Sequence, residues 1–84
     1  MNQQAIPSRT NSQAGFVEAA RDFLLRDLAS ETLALASDYA RTAVLFVKMG
    51  DVAKFEDSLR SFIACAREAA RAGRQIIDLH EGSS

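Results

Sequence analysis

The feature that most constrains the fold is an apolar row that runs from Val52 to His80 in alternating steps of three and four residues. Its members are Val52, Phe55, Leu59, Phe62, Ala66, Ala69, Gly73, Ile76 and His80, and Ile63, Ala70 and Ile77 widen it on one side. Strict alternation of these steps is the seven-residue repeat of helices that pack lengthwise against one another. The sequence therefore predicts a helix from about residue 51 to residue 80, with another helix along it.

A second amphipathic pattern precedes this row and is wider. One of its rows contains Leu24, Leu28, Leu35, Tyr39, Ala43 and Phe46, and the neighbouring row contains Leu25, Ala29, Leu33, Ala36, Ala40, Val44 and Val47. Spacings that are mostly three and four predict a helix from about residue 13 to residue 49 with a broad apolar face. The pattern does not decide whether this helix is broken at residues 29–32. Residues 1–12, with many Asn, Gln and Ser side chains and Pro7, predict a flexible arm, and residues 81–84 a flexible tail.

Gly50 and Asp51 separate the two patterns. Glycine suits the left-handed residue that ends a helix, and aspartate suits the N-cap of the next one. A connection this short forces the helices to run antiparallel. Because no segment alternates with a period of two, the predicted fold class is all-α, a long antiparallel helical hairpin.

Length and composition limit the remaining possibilities. The 84 residues, with 48% apolar and 25% charged side chains, are typical of a single soluble domain. The helical part contains no apolar run near the roughly 20 residues that span a membrane, and the N-terminus lacks the features of a signal peptide. We therefore expect a cytoplasmic protein without membrane contact. Cys65 is the only cysteine, which excludes a disulfide or a cysteine metal cage within one chain.

The apolar face of the first helix is wider than one neighbouring helix can cover. In a two-helix hairpin each helix has a single neighbour, and a large exposed apolar patch indicates an interface. The simplest arrangement is a two-fold homodimer that forms a four-helix bundle, although a higher oligomer or another protein could cover the same face. The predicted interface residues are Leu24, Leu28, Leu35, Tyr39 and Phe46 on the first helix, and Phe55, Leu59, Phe62, Ala66, Ala69, Gly73 and Ile76 on the second.

A stripe of arginines forms a candidate surface for an acidic partner. Its members are Arg60, Arg67, Arg71 and Arg74, with spacings of seven, four and three residues. Glu68 and Asp78 stand at distances that favour pairing with Arg71 and Arg74 along the helix. The net charge of −1 and the lack of interleaved aromatic residues disfavour nucleic acid as the partner. The pattern therefore favours a stripe that is simply exposed to solvent, and its second interpretation is a binding surface for an acidic protein.

The segment "RQIIDLH", from Arg74 to His80, raises a catalytic alternative. Its Arg-x5-His spacing resembles the motif of HEPN-type ribonucleases, and the resemblance implies RNA cleavage by a dimer that brings two such pairs together. On a straight helix, six residues turn the two side chains about 120° apart, so they converge only if the helix ends or bends there. His80 is also the last member of the apolar row, a position that requires no catalytic role.

The sequence contains no motif that predicts an enzyme. It has no carboxylate pair, metal-ligand spacing, glycine-rich phosphate loop or nucleophile elbow, so we predict no catalytic residue, metal or cofactor. The expected function is that of a small oligomeric interaction module from a bacterium or phage, acting on another protein as an adaptor, chaperone or inhibitor. The alternatives are nucleic-acid binding, HEPN-like cleavage through Arg74 and His80, or sensing of a small ligand in a pocket between protomers.

Overall fold

The computed structural model describes the backbone of residues 2–82 and the side chains of residues 14–82. It contains two helices, α1 (Asn2–Met49) and α2 (Val52–Gly82), which pack side by side. Within the described residues there is no strand. The predicted all-α helical hairpin is therefore confirmed, and α1 is continuous through residues 29–32.

Both helices are longer than the apolar patterns predict. The backbone of α1 is helical from Asn2, which includes residues 2–12 that the composition assigns to a flexible arm. α2 likewise continues to Gly82, two residues into the predicted tail, while Ser83 and Ser84 lie outside the described residues.

The two-residue connection closes both helix ends with hydrogen bonds. Gly50 has a positive φ of 77°, and its N–H donates to the Val47 carbonyl at 3.2 Å, while the Asp51 N–H donates to the Phe46 carbonyl at 3.0 Å. This pair of bonds is the Schellman arrangement that terminates a helix. On the other side, Asp51 Oδ1 accepts the Lys54 N–H at 3.1 Å and caps α2.

Small side chains fill the seam between the helices. The buried apolar residues are Ala36 and Ala43 on α1 and Ala69 and Ala72 on α2, and the buried polar residues are Thr32 and Ser58. Ala72 is the most enclosed, with 1% of its surface exposed. The Thr32 hydroxyl donates to the Leu28 carbonyl at 2.9 Å, so its burial leaves no unsatisfied donor. Alanines on both sides allow the helix axes to approach closely, but they bury little apolar surface.

The row of α2 that faces α1 differs from the predicted row in every second member. Phe55, Phe62, Ala69 and Ile76 belong to both rows, but Ser58, Cys65, Ala72 and Leu79 take the places predicted for Leu59, Ala66, Gly73 and His80. Ser58 and Ala72 are buried, whereas Leu59 and His80 are exposed. The reason is that α1 presents alanines to the seam, and the close approach that they allow favours the small side chains at 58, 65 and 72.

The hairpin is a thin rod. It measures 74 × 21 × 13 Å and has a radius of gyration of 20.2 Å, whereas a compact chain of this length would have about 12 Å. Its accessible surface is 6674 Å². The scaling for folded monomers gives about 4,900 Å² for a chain of 9.1 kDa. The surface and the radius of gyration are therefore those of an elongated chain.

Candidate interaction surfaces

Large apolar side chains lie mainly on the outside of the hairpin. Among the described side chains, sixteen are exposed, from 37% for Tyr39 and Leu59 to 75% for Phe16. They are Phe16, Val17, Phe23, Leu24, Leu28, Leu33, Leu35, Tyr39, Val44, Leu45, Val47 and Met49 on α1, and Val52, Leu59, Ile63 and Ile77 on α2. Exposure of so much apolar surface on a small chain indicates an interaction site.

One flank of the seam is identified by a contact between Arg26 Nη2 and His80 Nε2, which are 3.3 Å apart. Because the packing repeats every seven residues, residues seven apart follow the same flank. On α1 this row is Arg26, Leu33, Ala40 and Val47, and on α2 it is Val52, Leu59, Ala66, Gly73 and His80. The next rows outward are Phe23, Ser30, Ser37 and Val44 on α1, and Glu56, Ile63, Ala70 and Ile77 on α2. We call these four rows the apolar face.

The opposite flank is identified by Lys54, whose Nζ lies 5.6 Å from the centre of the Phe46 ring. The rows that follow from this contact are Leu25, Thr32, Tyr39 and Phe46 on α1, and Lys54, Ser61, Glu68 and Gln75 on α2. Leu28, Leu35 and Met49 lie one row further out on α1. We call this flank the mixed face, because its α1 half is apolar and its α2 half is polar. An open apolar groove of about 400 Å³, lined in part by Leu24, Leu25 and Leu28, continues it towards residue 16.

The structure divides the predicted interface residues among three environments. Leu28, Leu35 and Tyr39 are exposed on the mixed face, Leu24 is exposed one row further out on α1, and Leu59 is exposed on the apolar face. Phe46, Phe55, Phe62, Ala66, Gly73 and Ile76 are half-buried, and Ala69 is buried between the two helices of one chain. The apolar face also contains Leu33, Val44, Val47 and Ile63, which the predicted interface leaves out, and the contact between Arg26 and His80 is what places their rows on the same flank as Leu59.

The arginine stripe lies on the outer side of α2 and is largely paired along its own helix. Arg71 Nη1 is 2.8 Å from Glu68 Oε2 and Arg74 Nε is 3.5 Å from Asp78 Oδ1, as the spacing predicts. Arg60 Nη2 is also 2.7 Å from Glu56 Oε1, a pair at the same four-residue spacing as that of Arg74 and Asp78. Within residues 14–82 only Arg67 of the stripe has no ion pair.

Arg74 and His80 are not brought together. α2 stays helical to Gly82, and Arg74 pairs with Asp78 on the outer side. The His80 ring instead contacts α1, with Nε2 3.7 Å from Asp22 Oδ1 and 3.3 Å from Arg26 Nη2. The two side chains therefore point to different neighbours, as an unbent helix requires.

The open end of the hairpin holds a groove of about 530 Å³ with an acidic lining. Glu18, Asp22, Asp78 and His80 contribute to it. Asp22 Oδ2 is 2.9 Å from Arg26 Nη2, while Asp22 Oδ1 is buried without a hydrogen-bond partner. In the described part of the chain, no three His, Cys, Asp or Glu side chains are grouped to hold a metal ion. Nor does any helix, within the residues searched, have a segment long and apolar enough to cross a membrane.

Comparison with protein-family models, with curated proteins and with solved structures finds no match for this chain.

Proposed function

We propose that this protein is a small oligomeric interaction module that forms a homodimeric four-helix bundle and binds another protein as an adaptor, chaperone or inhibitor, without catalysing a reaction. The observation that carries the proposal is the distribution of apolar side chains. Among the described side chains, the buried apolar residues are four alanines, several larger apolar side chains are half-buried, and sixteen are exposed.

A second hairpin can bury the large apolar side chains that one hairpin leaves exposed. Full burial of a Leu, Ile, Val or Phe side chain contributes about 1.5–3 kcal/mol, whereas alanines contribute much less. Packing of two hairpins gives every helix a second neighbour, which is the arrangement of a four-helix bundle. A standard protein interface takes about 800 Å² from each partner. The exposed apolar side chains of the hairpin are the candidates for such an interface and for contact with another protein.

The outer surfaces support binding of a protein rather than of nucleic acid. Leu28 and Leu35 are exposed on α1, and a partner can bury them in the manner of a helix in an apolar groove. Arg67 is a free cation on the arginine stripe, which suits an acidic group at the rim of such an interface. Because Arg60, Arg71 and Arg74 are paired with carboxylates, the stripe offers little net charge to a phosphate backbone.

Partner binding is tested by capture followed by direct titration. The immobilised protein is exposed to a lysate of its source, the retained protein is purified, and its affinity is measured by calorimetry. We expect Leu35→Glu to weaken this affinity at least about tenfold, because a buried leucine is replaced by a charge. The control Ala34→Glu adds the same charge to an exposed neighbouring position on the outer side of α1 and leaves the affinity unchanged.

Two results would contradict the proposed function. One is that no purified protein binds directly. The other is salt-dependent binding of nucleic acid that is abolished when Arg67, Arg71 and Arg74 are changed to Glu.

A further inference from the structure

We infer that the apolar face is the surface on which a second copy of this chain docks, and that the two hairpins lie antiparallel, with the turn of each beside the open end of the other. This inference rests on the proposed homodimer and adds to it the face and the orientation. It also separates the self-association surface from the surface that another protein uses.

The first argument is the distribution of charge. On the apolar face the charged residues stand at the two ends, with Glu56 near the turn and Arg26, beside His80, near the open end. All the positions between them are Leu, Val, Ile, Phe, Ala, Gly or Ser. The mixed face instead carries Lys54 and Glu68 along its α2 half. Burial of charged side chains costs desolvation free energy even where they are paired, so the apolar face is the one that a hairpin can cover across both helices.

The second argument concerns the level of the two end charges along the rod. With a rise of 1.5 Å per residue, Glu56 lies about 8 Å from the turn and Arg26 about 37 Å from it. These distances add to about 45 Å, close to the length of about 46 Å expected for the 31 residues of α2. When two antiparallel hairpins overlap fully, each Glu56 therefore lies level with Arg26 of the other copy. Within one chain Glu56 pairs with Arg60 and Arg26 with Asp22, and the antiparallel arrangement adds an opposite charge at the same level. Parallel hairpins would instead bring Glu56 level with Glu56 and Arg26 level with Arg26, which is unfavourable.

The third argument is the size of the residues at the centre of the face. Midway along the overlap, about 23 Å from the turn, lies Ala66 on α2, while Ser37 and Leu33 on α1 lie about 20 and 26 Å from the turn. A two-fold axis through this point brings Ala66 of both copies together. The small side chain of Ala66 allows the two copies of α2 to approach closely, while Leu59 and Ile63 on α2 and Leu33 on α1 supply the larger contacts.

The face is tested with two matched leucine variants. Leu33 lies on the apolar face and is 59% exposed, and Leu45 lies on the outer side of the same helix and is 61% exposed. Because both are exposed in the hairpin, Glu at either position leaves the fold of one chain intact. We expect Leu33→Glu to raise the dimer dissociation constant at least about 100-fold in sedimentation equilibrium, since both copies then bury a charge, and Leu45→Glu to leave it unchanged.

The outcomes separate this inference from the proposed function. Dissociation by Leu45→Glu but not by Leu33→Glu, or equal effects of both, would overturn the assignment of the face and leave the dimer in place. A wild-type protein that stays monomeric would overturn the inference together with the proposed homodimer.

The orientation is tested with cysteine pairs. Arg26→Cys and Glu56→Cys are each made in a Cys65→Ser background, and the two chains are refolded together and oxidised. Antiparallel hairpins give disulfide dimers that join residue 26 of one chain to residue 56 of the other, identified by their mass. Products that join 26 to 26 and 56 to 56 would overturn the antiparallel arrangement.

Discussion

The alanine seam makes a specific prediction for Ala72→Leu. Ala72 is 1% exposed and lies on α2 where that helix packs against α1, whose seam is also made of alanines. Leucine adds three carbon atoms at a point that is almost completely enclosed. The helices must separate or the leucine must take a strained rotamer, so we expect the substitution to destabilise the fold.

The magnitude follows from the enclosure of the site. Enlarging a side chain in a well-packed interior costs about 1–3 kcal/mol. For a domain of 60–100 residues, each kcal/mol lowers the melting temperature by about 4–8 °C. Ala72→Leu should therefore lower the melting temperature by between about 4 and 24 °C.

Circular dichroism at 222 nm measures this change at a fixed protein concentration. The control is Ala64→Leu, which makes the same substitution at an exposed position of the same helix. Helix propensity changes equally in the two variants, so the difference between them reports packing alone. Surface substitutions usually change stability by less than about 0.5 kcal/mol, so we expect Ala64→Leu to move the midpoint by less than about 4 °C. Equal midpoints for the two variants would refute the close-packed seam.

Three further variants test the connection and the open end. Gly50→Ala places a side chain at a φ of 77° with no other atom within 4 Å of the new carbon, so only backbone strain opposes it, and urea unfolding should show a loss of about 1–2 kcal/mol. A gain in stability would contradict this explanation. Asp51→Ala removes the cap on the Lys54 N–H and should cost about 0.5–2 kcal/mol, while Asp51→Asn should retain most of that stability; equal losses would contradict the capping role. His80→Ala removes the contacts with Asp22 and Arg26, so hydrogen exchange in the last turn of α2 should accelerate while exchange near Ala69 stays unchanged. Equal acceleration at both places would show that these contacts stabilise the whole hairpin.

Much of the fold is encoded in local sequence patterns. The repeat from Val52 to His80 predicts α2 because a period near 3.5 residues is a property of the chain itself. Gly50 predicts the turn because few residues other than glycine adopt a positive φ without strain. These signals are local, and they hold whatever packs against the helices.

The rotation of α2 about its own axis is not encoded in the same way. Leu59 and Ser58 are neighbours in sequence, and hydrophobicity alone assigns the seam to Leu59. The structure buries Ser58 instead, because the alanines of α1 favour small partners over large ones. That preference depends on the complementary face of the other helix, which a periodicity in one segment does not contain. The same rotation is what places Leu59 on the apolar face.

The division of the candidate interface residues has the same origin. Ala69 and Leu59 fall on one row of the periodic pattern, yet Ala69 is buried within the chain and Leu59 is available to a partner. The pattern identifies residues that are expected to be buried. It does not distinguish burial against the other helix of the same chain from burial against another chain. Contacts such as that between Arg26 and His80 decide this, because they fix which rows lie on the same flank.

The most direct test of the central claim, that one hairpin is half of a larger assembly, is the mass of the wild-type protein in solution. Sedimentation equilibrium at micromolar concentration should give a particle of twice the chain mass of 9.1 kDa, with dissociation to single chains only on dilution. A particle of 9.1 kDa at every concentration, with helical content and a cooperative melting transition, would contradict the account.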